Sequence, residues 1–175
     1  STGRPKGVAI EHRSAVAFLD WAAGRFTEAD FRGTLASTSI CFDLSIFELF
    51  APLACGGSVV LAENALALPA LPGARQVTLG NTLPSAMAEL VRAGGLPASV
   101  RTVNLAGEPL KSFLAEEVYG HEHVRRVYNL YGPSEDTTYS TEALVGRGAG
   151  REPTIGRPIA NREVYLLDEH RLEAD

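Results

Sequence analysis

"VRTVNLAGEPLKSFLAEEVYG", residues 100–120, carries the pattern on which the fold turns. It opens as a short buried strand, passes through the polar turn "AGEP", and continues from Lys111 as a helix with apolar residues at helical spacing. Upstream, "QVTLGNTLP" (76–84) reads as strand then loop, and "SAMAELVRAG" (85–94) as a helix capped by Ser85. Downstream, "RRVYNLYGPSEDTTYST" (125–141) is a further strand followed by a polar loop, and "REVYLLDEH" (162–170) alternates into a last strand at an edge.

The N-terminal half continues the theme. Residues 12–26 place Val16, Leu19, Ala23 and Phe26 on one helical face. "GTLASTSICF" (33–42) is a strand running into a loop. "DLSIFELFAPLACGG" (43–57) is a helix with Asp43 as its cap, a glycine pair at its end and Pro52 as an internal break. "SVVLAE" (58–63) reads as a short buried strand, and residues 64–75 as a loop rich in Ala, Leu and Pro. Repeated strand, polar turn and helix define an α/β fold with a mostly parallel sheet flanked by helices. The turns after the strands gather at one edge of the sheet, where such folds bind ligands.

Composition narrows the function. The chain has 175 residues, 45% of them hydrophobic, enough for one domain with a sizeable core. Acids outnumber bases 21 to 16, which argues against nucleic acid or an anionic membrane as partner. The two cysteines, Cys41 and Cys55, have neither metal-ligand nor redox spacing, and Cys41 reads as a small buried residue. The absence of a signal-like start and of a long apolar run favours the cytoplasm. His12, His121, His123 and His170 form no metal or catalytic set and read mostly as surface residues.

Three ordered blocks, "STGRPKGV" (1–8), "FDLSIFELF" (42–50) and "NLYGPSEDT" (129–137), resemble the adenylation domains of nonribosomal peptide synthetases. "NTLPSAM" (81–87), "NLAGEPL" (104–110) and "IGRPIANREVYLLDE" (155–169) also follow that family's pattern and order. The resemblance implies activation of an amino acid by ATP and magnesium (Mg2+) to an aminoacyl-adenylate. It further implies transfer to a phosphopantetheine thiol on a peptidyl carrier domain, beside neighbouring synthetase domains. Residues 1–175 match a partial adenylation (AMP-binding) domain, the central part of the large N-terminal domain. The start of the phosphate loop, the ribose-binding aspartate and the C-terminal catalytic-lysine domain have no counterpart in it. The expectation is therefore that the fragment alone is inactive.

Each residue carries two readings. Ser1, Thr2, Gly3 and Lys6 read by themselves as a surface turn; the resemblance sets them on the ATP phosphates, with Lys6 catalytic. The "GRPKG" spacing is not the Walker pattern. Asp43 reads as a helix N-cap, or by resemblance as partner of the substrate's α-amino group. Glu135 reads as a solvated loop acid, or by resemblance as the magnesium ligand and a catalytic group. Ser134 stands where relatives usually have threonine and keeps the hydroxyl for a phosphate contact, while Asp136 receives no role. Tyr131 reads as core packing or as the adenine platform. By resemblance, Asn129 would bond the base edge, and Gly107, Glu108 and Gly132 would lie along the nucleotide.

The resemblance makes Asp43, Leu44, Phe47, Asn81, Asn104, Ala106, Leu130, Thr138 and Tyr139 the lining of the amino-acid pocket. After Asp43 none of these is charged, and several are bulky, which points to a small neutral substrate with alanine preferred. Asn81 and Asn104 leave serine, threonine or cysteine open, unless their own loops consume them. The alternatives are an acyl- or aryl-acid CoA ligase of the same superfamily, and a non-catalytic α/β interaction module.

Overall fold

The computed structural model describes residues 7–168. A seven-stranded sheet runs through the molecule in the order β2-β1-β3-β4-β5-β6-β7. The strands are β1 (Thr34–Ala36), β2 (Val59–Leu61), β3 (Leu79–Thr82), β4 (Thr102–Leu105), β5 (Arg126–Tyr131), β6 (Thr141–Val145) and β7 (Arg157–Pro158). The five strands from β2 to β5 pair in parallel, whereas β6 and β7 are added antiparallel. The helices are α1 (His12–Arg25), α2 (Glu28–Phe31), α3 (Leu44–Ala54), α4 (Pro84–Arg92) and α5 (Ser112–Gly120).

Strand alternation divides the core in two. Val103 and Leu105 of β4 and Val127 of β5 pack with Met87 and Leu90 of α4 and Leu114 and Val118 of α5. Leu79 of β3 and Tyr128 and Leu130 of β5 pack with Phe18 and Trp21 of α1 and Phe47 of α3. This second face is aromatic-rich: Phe47 lies 5.4 Å from Phe26 and 5.9 Å from Tyr139, ring centre to ring centre.

Several local expectations change. α4 begins at Pro84, with Leu83 in the cap position, so Ser85 is inside the helix. Proline is favoured there because its missing N–H would be unpaired in any case. β2 is half-exposed because it is a sheet edge, with only β1 beside it. Residues 64–75 fold partly into 3-10 turns, Ala65–Ala70 and Ala74–Gln76. The strand expected over 162–170 is absent from its described part, where residue 167 makes only an isolated bridge. Beyond β5 the sheet is instead completed by β6 and β7, which the sequence pattern does not mark as strands. Cys41 is exposed rather than buried.

Candidate active site

The carboxyl ends of β1, β3, β4 and β5 open at one edge of the sheet. The strand order reverses at β1, so the chain leaves this strand in both directions, the arrangement that creates a ligand crevice. Beyond β4 and β5 lies a cleft of about 440 Å³. Gly107, Glu108, Asn129, Tyr131 and Gly132 line it, together with apolar Leu110 and Ile155. Its volume is in the range of small-ligand sites. Tyr131 is 52% exposed, so it is not a core residue and its ring is available as a stacking surface. Gly107 turns the chain at φ +84, and a side chain there would strike Leu83. The Glu108 carboxylate accepts from the Ser85 backbone N–H and hydroxyl, both at 2.9 Å, leaving its backbone along the cleft. Asn129 is committed in part, since its Nδ2 donates to the Thr154 carbonyl at 2.8 Å.

Asp43 occupies the N-cap position of α3, but its backbone is already helical and its side chain makes no cap bond. The capping role is therefore absent. Its Oδ2 instead accepts from the Ser134 hydroxyl at 2.6 Å. The Thr138 hydroxyl donates to the Asp43 carbonyl at 3.2 Å, tying the loop after β5 to the start of α3. That loop is strained: Thr137 and Thr138 have φ +61 and +73. For β-branched residues such backbone costs roughly 1–3 kcal/mol each and persists where surrounding contacts impose it.

The residues expected around the amino-acid side chain are brought together. Phe47, Ala106, Leu130 and Tyr139 share one buried cluster, with Leu44 packed against it. Asn81 and Asn104 lie opposite each other in the β3–β4 ladder, and both are fully buried. Neither is consumed by its own loop. Asn81 donates Nδ2 to Glu48 at 3.1 Å and accepts from the Tyr139 hydroxyl at 2.8 Å. Both amide atoms of Asn104 lack a protein partner. Burial pushes the Tyr139 hydroxyl far above its ordinary pKa; the bond to Asn81 opposes the rise, and the charges of Glu48 and Asp43 add to it. Tyr139 therefore remains a protonated donor.

Glu135 sits exposed in the 3-10 turn Ser134–Asp136. Among the described residues no group of three or more His, Cys, Asp or Glu side chains could hold a metal. A single hard oxygen donor suits magnesium that takes its remaining ligands from phosphate and water, rather than an all-protein cage. Ser1, Thr2, Gly3 and Lys6 lie outside the described residues. The rings of His121 and His123 lie 5.4 Å apart and tilted to each other, away from this edge, while His170 is outside the described residues.

Sequence reasoning missed Glu48 and the Asp136–Arg162 pair. Glu48 is a fully buried acid on α3, and Asp136 accepts from the Ser140 hydroxyl at 2.6 Å and pairs with Arg162 at 3.0 Å. The available signal for Glu48 was an acid inside the apolar run "SIFELF".

Comparison with known proteins agrees with this geometry. Residues 1–174 match the family described as AMP-binding enzyme. The chain is 61% identical over 171 residues to a linear gramicidin synthase from Brevibacillus parabrevis, covering 98% of this chain and 3% of that protein. It is 53% identical over 170 residues to the AMB antimetabolite synthetase AmbB of Pseudomonas aeruginosa, covering 96% of this chain and 14% of that protein. A crystal structure of a four-domain nonribosomal peptide synthetase bound to AMP and glycine superposes with a TM-score of 0.83 at 31% identity, covering 98% of this chain and 13% of that one. Another neighbour, with a TM-score of 0.76 and 25% identity, contains adenylation and PCP domains; the match covers 86% of this chain and 27% of that one. No helix among the described residues is long and apolar enough to cross a membrane. With the cleft, the ordered blocks and these likenesses in agreement, the chain belongs to the AMP-binding enzyme family, among the adenylation domains of nonribosomal peptide synthetases.

Proposed function

We propose that this chain is the substrate-binding part of an adenylation domain that activates a small neutral amino acid, alanine first, with ATP. The product would be an aminoacyl-adenylate, passed to the phosphopantetheine thiol of a carrier domain in the cytoplasm. The observation that carries this reading is Asp43, a carboxylate free of any capping bond, at the start of the helix that supplies Phe47 and close enough for its charge to act on buried Tyr139. An ammonium group entering a partly dry pocket requires such a partner, whereas an acyl or aryl acid does not. In this reading the bulky lining of Phe47, Leu130 and Tyr139 disfavours a large side chain.

In this reading Tyr131 stacks on adenine and the backbone at Gly107 and Glu108 lies along the nucleotide. Ser1, Thr2, Gly3 and Lys6 face the phosphates. Glu135 would hold magnesium, whose charge neutralises the phosphate oxygens when bound. Residues 1–175 would need the rest of an adenylation domain, including its C-terminal lysine, to orient the reacting groups. The test is amino-acid-dependent pyrophosphate exchange by the full-length parent protein with glycine, alanine, serine, cysteine, valine, phenylalanine and glutamate. Best activity with phenylalanine or glutamate overturns the small-neutral reading. Glu135→Gln is expected to raise the magnesium needed for half-maximal exchange, and an unchanged magnesium curve removes Glu135 from the metal site.

A further inference from the structure

We infer that Glu48 is a positioning residue for the ammonium end of the pocket: from inside the core it holds Asp43 in register with Tyr139. This inference rests on the Asp43 reading above and adds to it a residue outside the expected lining. Glu48 is fully buried on α3, the helix that Asp43 opens. Its Oε2 accepts from the backbone N–H groups of Ser37 and Thr38 at 2.8 and 2.9 Å. Its Oε1 accepts from the Thr38 hydroxyl at 2.6 Å and from Asn81 Nδ2 at 3.1 Å. Bonds to an ionised carboxylate are stronger than those between neutral groups, so this buried acid ties three segments firmly.

The first of those segments is the loop that delivers Asp43. Residues 37–43 leave β1 and enter α3, and Ile40 and Phe42 on this loop are exposed, so burial of its apolar residues does little to hold it. The Phe42 N–H donates to the Ser39 carbonyl at 2.9 Å and the Ser45 hydroxyl to the Phe42 carbonyl at 2.7 Å, both within the loop and the first turn of α3. Glu48 ties the start of the loop back onto the same helix. Through Asn81 it also reaches β3, and the Asn81 oxygen accepts from the Tyr139 hydroxyl at 2.8 Å. Beside Tyr139, the Thr138 hydroxyl donates to the Asp43 carbonyl at 3.2 Å. The contacts close a circuit that runs from Asp43 along α3 to Glu48, then through Asn81, Tyr139 and Thr138 back to Asp43. The carboxylate that takes the ammonium group and the wall beside it are therefore held by one network, and Glu48 is its charged member inside the core. A misplacement on the order of 1 Å at such a site costs up to about 100-fold.

Two substitutions loosen the circuit to different degrees. Glu48→Gln replaces one oxygen by NH2, so in either orientation donors now face a donor. Thr38→Val is milder, removing the hydroxyl donor while keeping the side-chain shape and the backbone N–H. The experiment is a double-mutant cycle of each with Asp43→Ala in the full-length protein. It reads kcat/KM in pyrophosphate exchange with alanine, or with whichever amino acid of the panel above the wild type exchanges fastest. With Asp43 present, Glu48→Gln should lower kcat/KM roughly 10- to 100-fold, mainly through KM for the amino acid, and leave KM for ATP within about twofold. Thr38→Val should lower it roughly fivefold, the scale of one net hydrogen bond. In the Asp43→Ala background each should cost less than about twofold, because the group being positioned is gone. Leu114→Ala, a truncation in the core on the opposite face of the sheet, should lower stability and act equally in both backgrounds. A Glu48→Gln effect of the same size with and without Asp43 overturns the inference, and if that variant does not fold, the Thr38→Val cycle decides by the same criterion. An Asp43→Ala variant that penalises the amino acid and its des-amino analogue equally overturns the Asp43 reading instead, and is measured first.

Discussion

The Ser134 hydroxyl donates to Asp43 Oδ2 at 2.6 Å, joining two residues that lie 91 positions apart. In the proposed reaction they serve different ligands, Ser134 the phosphates and Asp43 the amino group. A substrate ammonium that takes Asp43 Oδ2 competes with Ser134 for that oxygen. Once displaced, that hydroxyl is free to turn toward phosphate, so the contact links the two halves of the site.

Asp43→Ala in the full-length protein should therefore lower kcat/KM for the amino acid about 10- to 100-fold. Truncating a fully buried ion pair costs ~3–5 kcal/mol, and the half-exposed position of Asp43 reduces this. The loss should be much smaller for the des-amino analogue. Ser134→Ala should tighten amino-acid binding in the absence of ATP, because a competitor is gone, and slow exchange when ATP is present. An equal penalty for both substrates in Asp43→Ala removes the ammonium pairing; unchanged amino-acid affinity in Ser134→Ala removes the competition.

Gly132 joins the cleft to the strained loop. A Cβ at this position would stand 2.6 Å from the Ser140 nitrogen, 2.7 Å from the Thr138 carbonyl oxygen and 2.7 Å from the Tyr139 Cα. All three are backbone atoms, so no rotamer change relieves the overlap. Gly132→Ala should cost roughly 1–3 kcal/mol of stability and displace Thr138 and Tyr139 together. Urea unfolding and exchange assays on the same protein should both register it, and a variant with wild-type midpoint and rate would contradict the close approach.

Asp30 gives an acid-sensitive anchor away from the site. It is 2% exposed and accepts from the Thr27 N–H and hydroxyl, the Thr102 hydroxyl and the Arg126 guanidinium. Burial pushes its pKa up, but the bonds from Thr102 and Thr27 and the Arg126 charge outweigh it, holding the carboxyl below its ordinary 3.8. A depressed folded-state pKa adds stability that is fully present above the unfolded value and is lost as pH falls through the folded one. Asp30→Ala should cost about 3 kcal/mol at pH 7, the low end for a broken buried pair because Arg126 still reaches water. The gap between variant and wild type should narrow below about pH 4. A gap independent of pH would show that Asp30 acts through packing alone.

The repeating strand, turn and helix units were legible because each is local: apolar spacing, a polar turn and a glycine or proline at its boundary lie within about twenty residues. The family blocks were legible for the same reason, and they named the right edge of the sheet. β6 escaped because "TEALV" holds an acid at its second position, and its pairing with β5 depends on the turn through Thr137 and Thr138 rather than on its own pattern. Asp43 was ambiguous because a capping carboxylate and a ligand-facing one have the same sequence signature. Only the helical backbone at Asp43 and the contact from Ser134 removed the capping reading.

By itself, then, the sequence determined the α/β class and the family, since these rest on short-range spacing and ordered motifs, and it proposed the residues around the site. Only the tertiary structure decided which polar groups in that set are already spent. Glu48, Asn81 and Tyr139 lie 33 and 58 positions apart, and their hydrogen bonds exist because α3, β3 and the loop before β6 converge in space. Donors and acceptors are engaged by neighbours in three dimensions, and no spacing along the chain encodes which neighbour will take them.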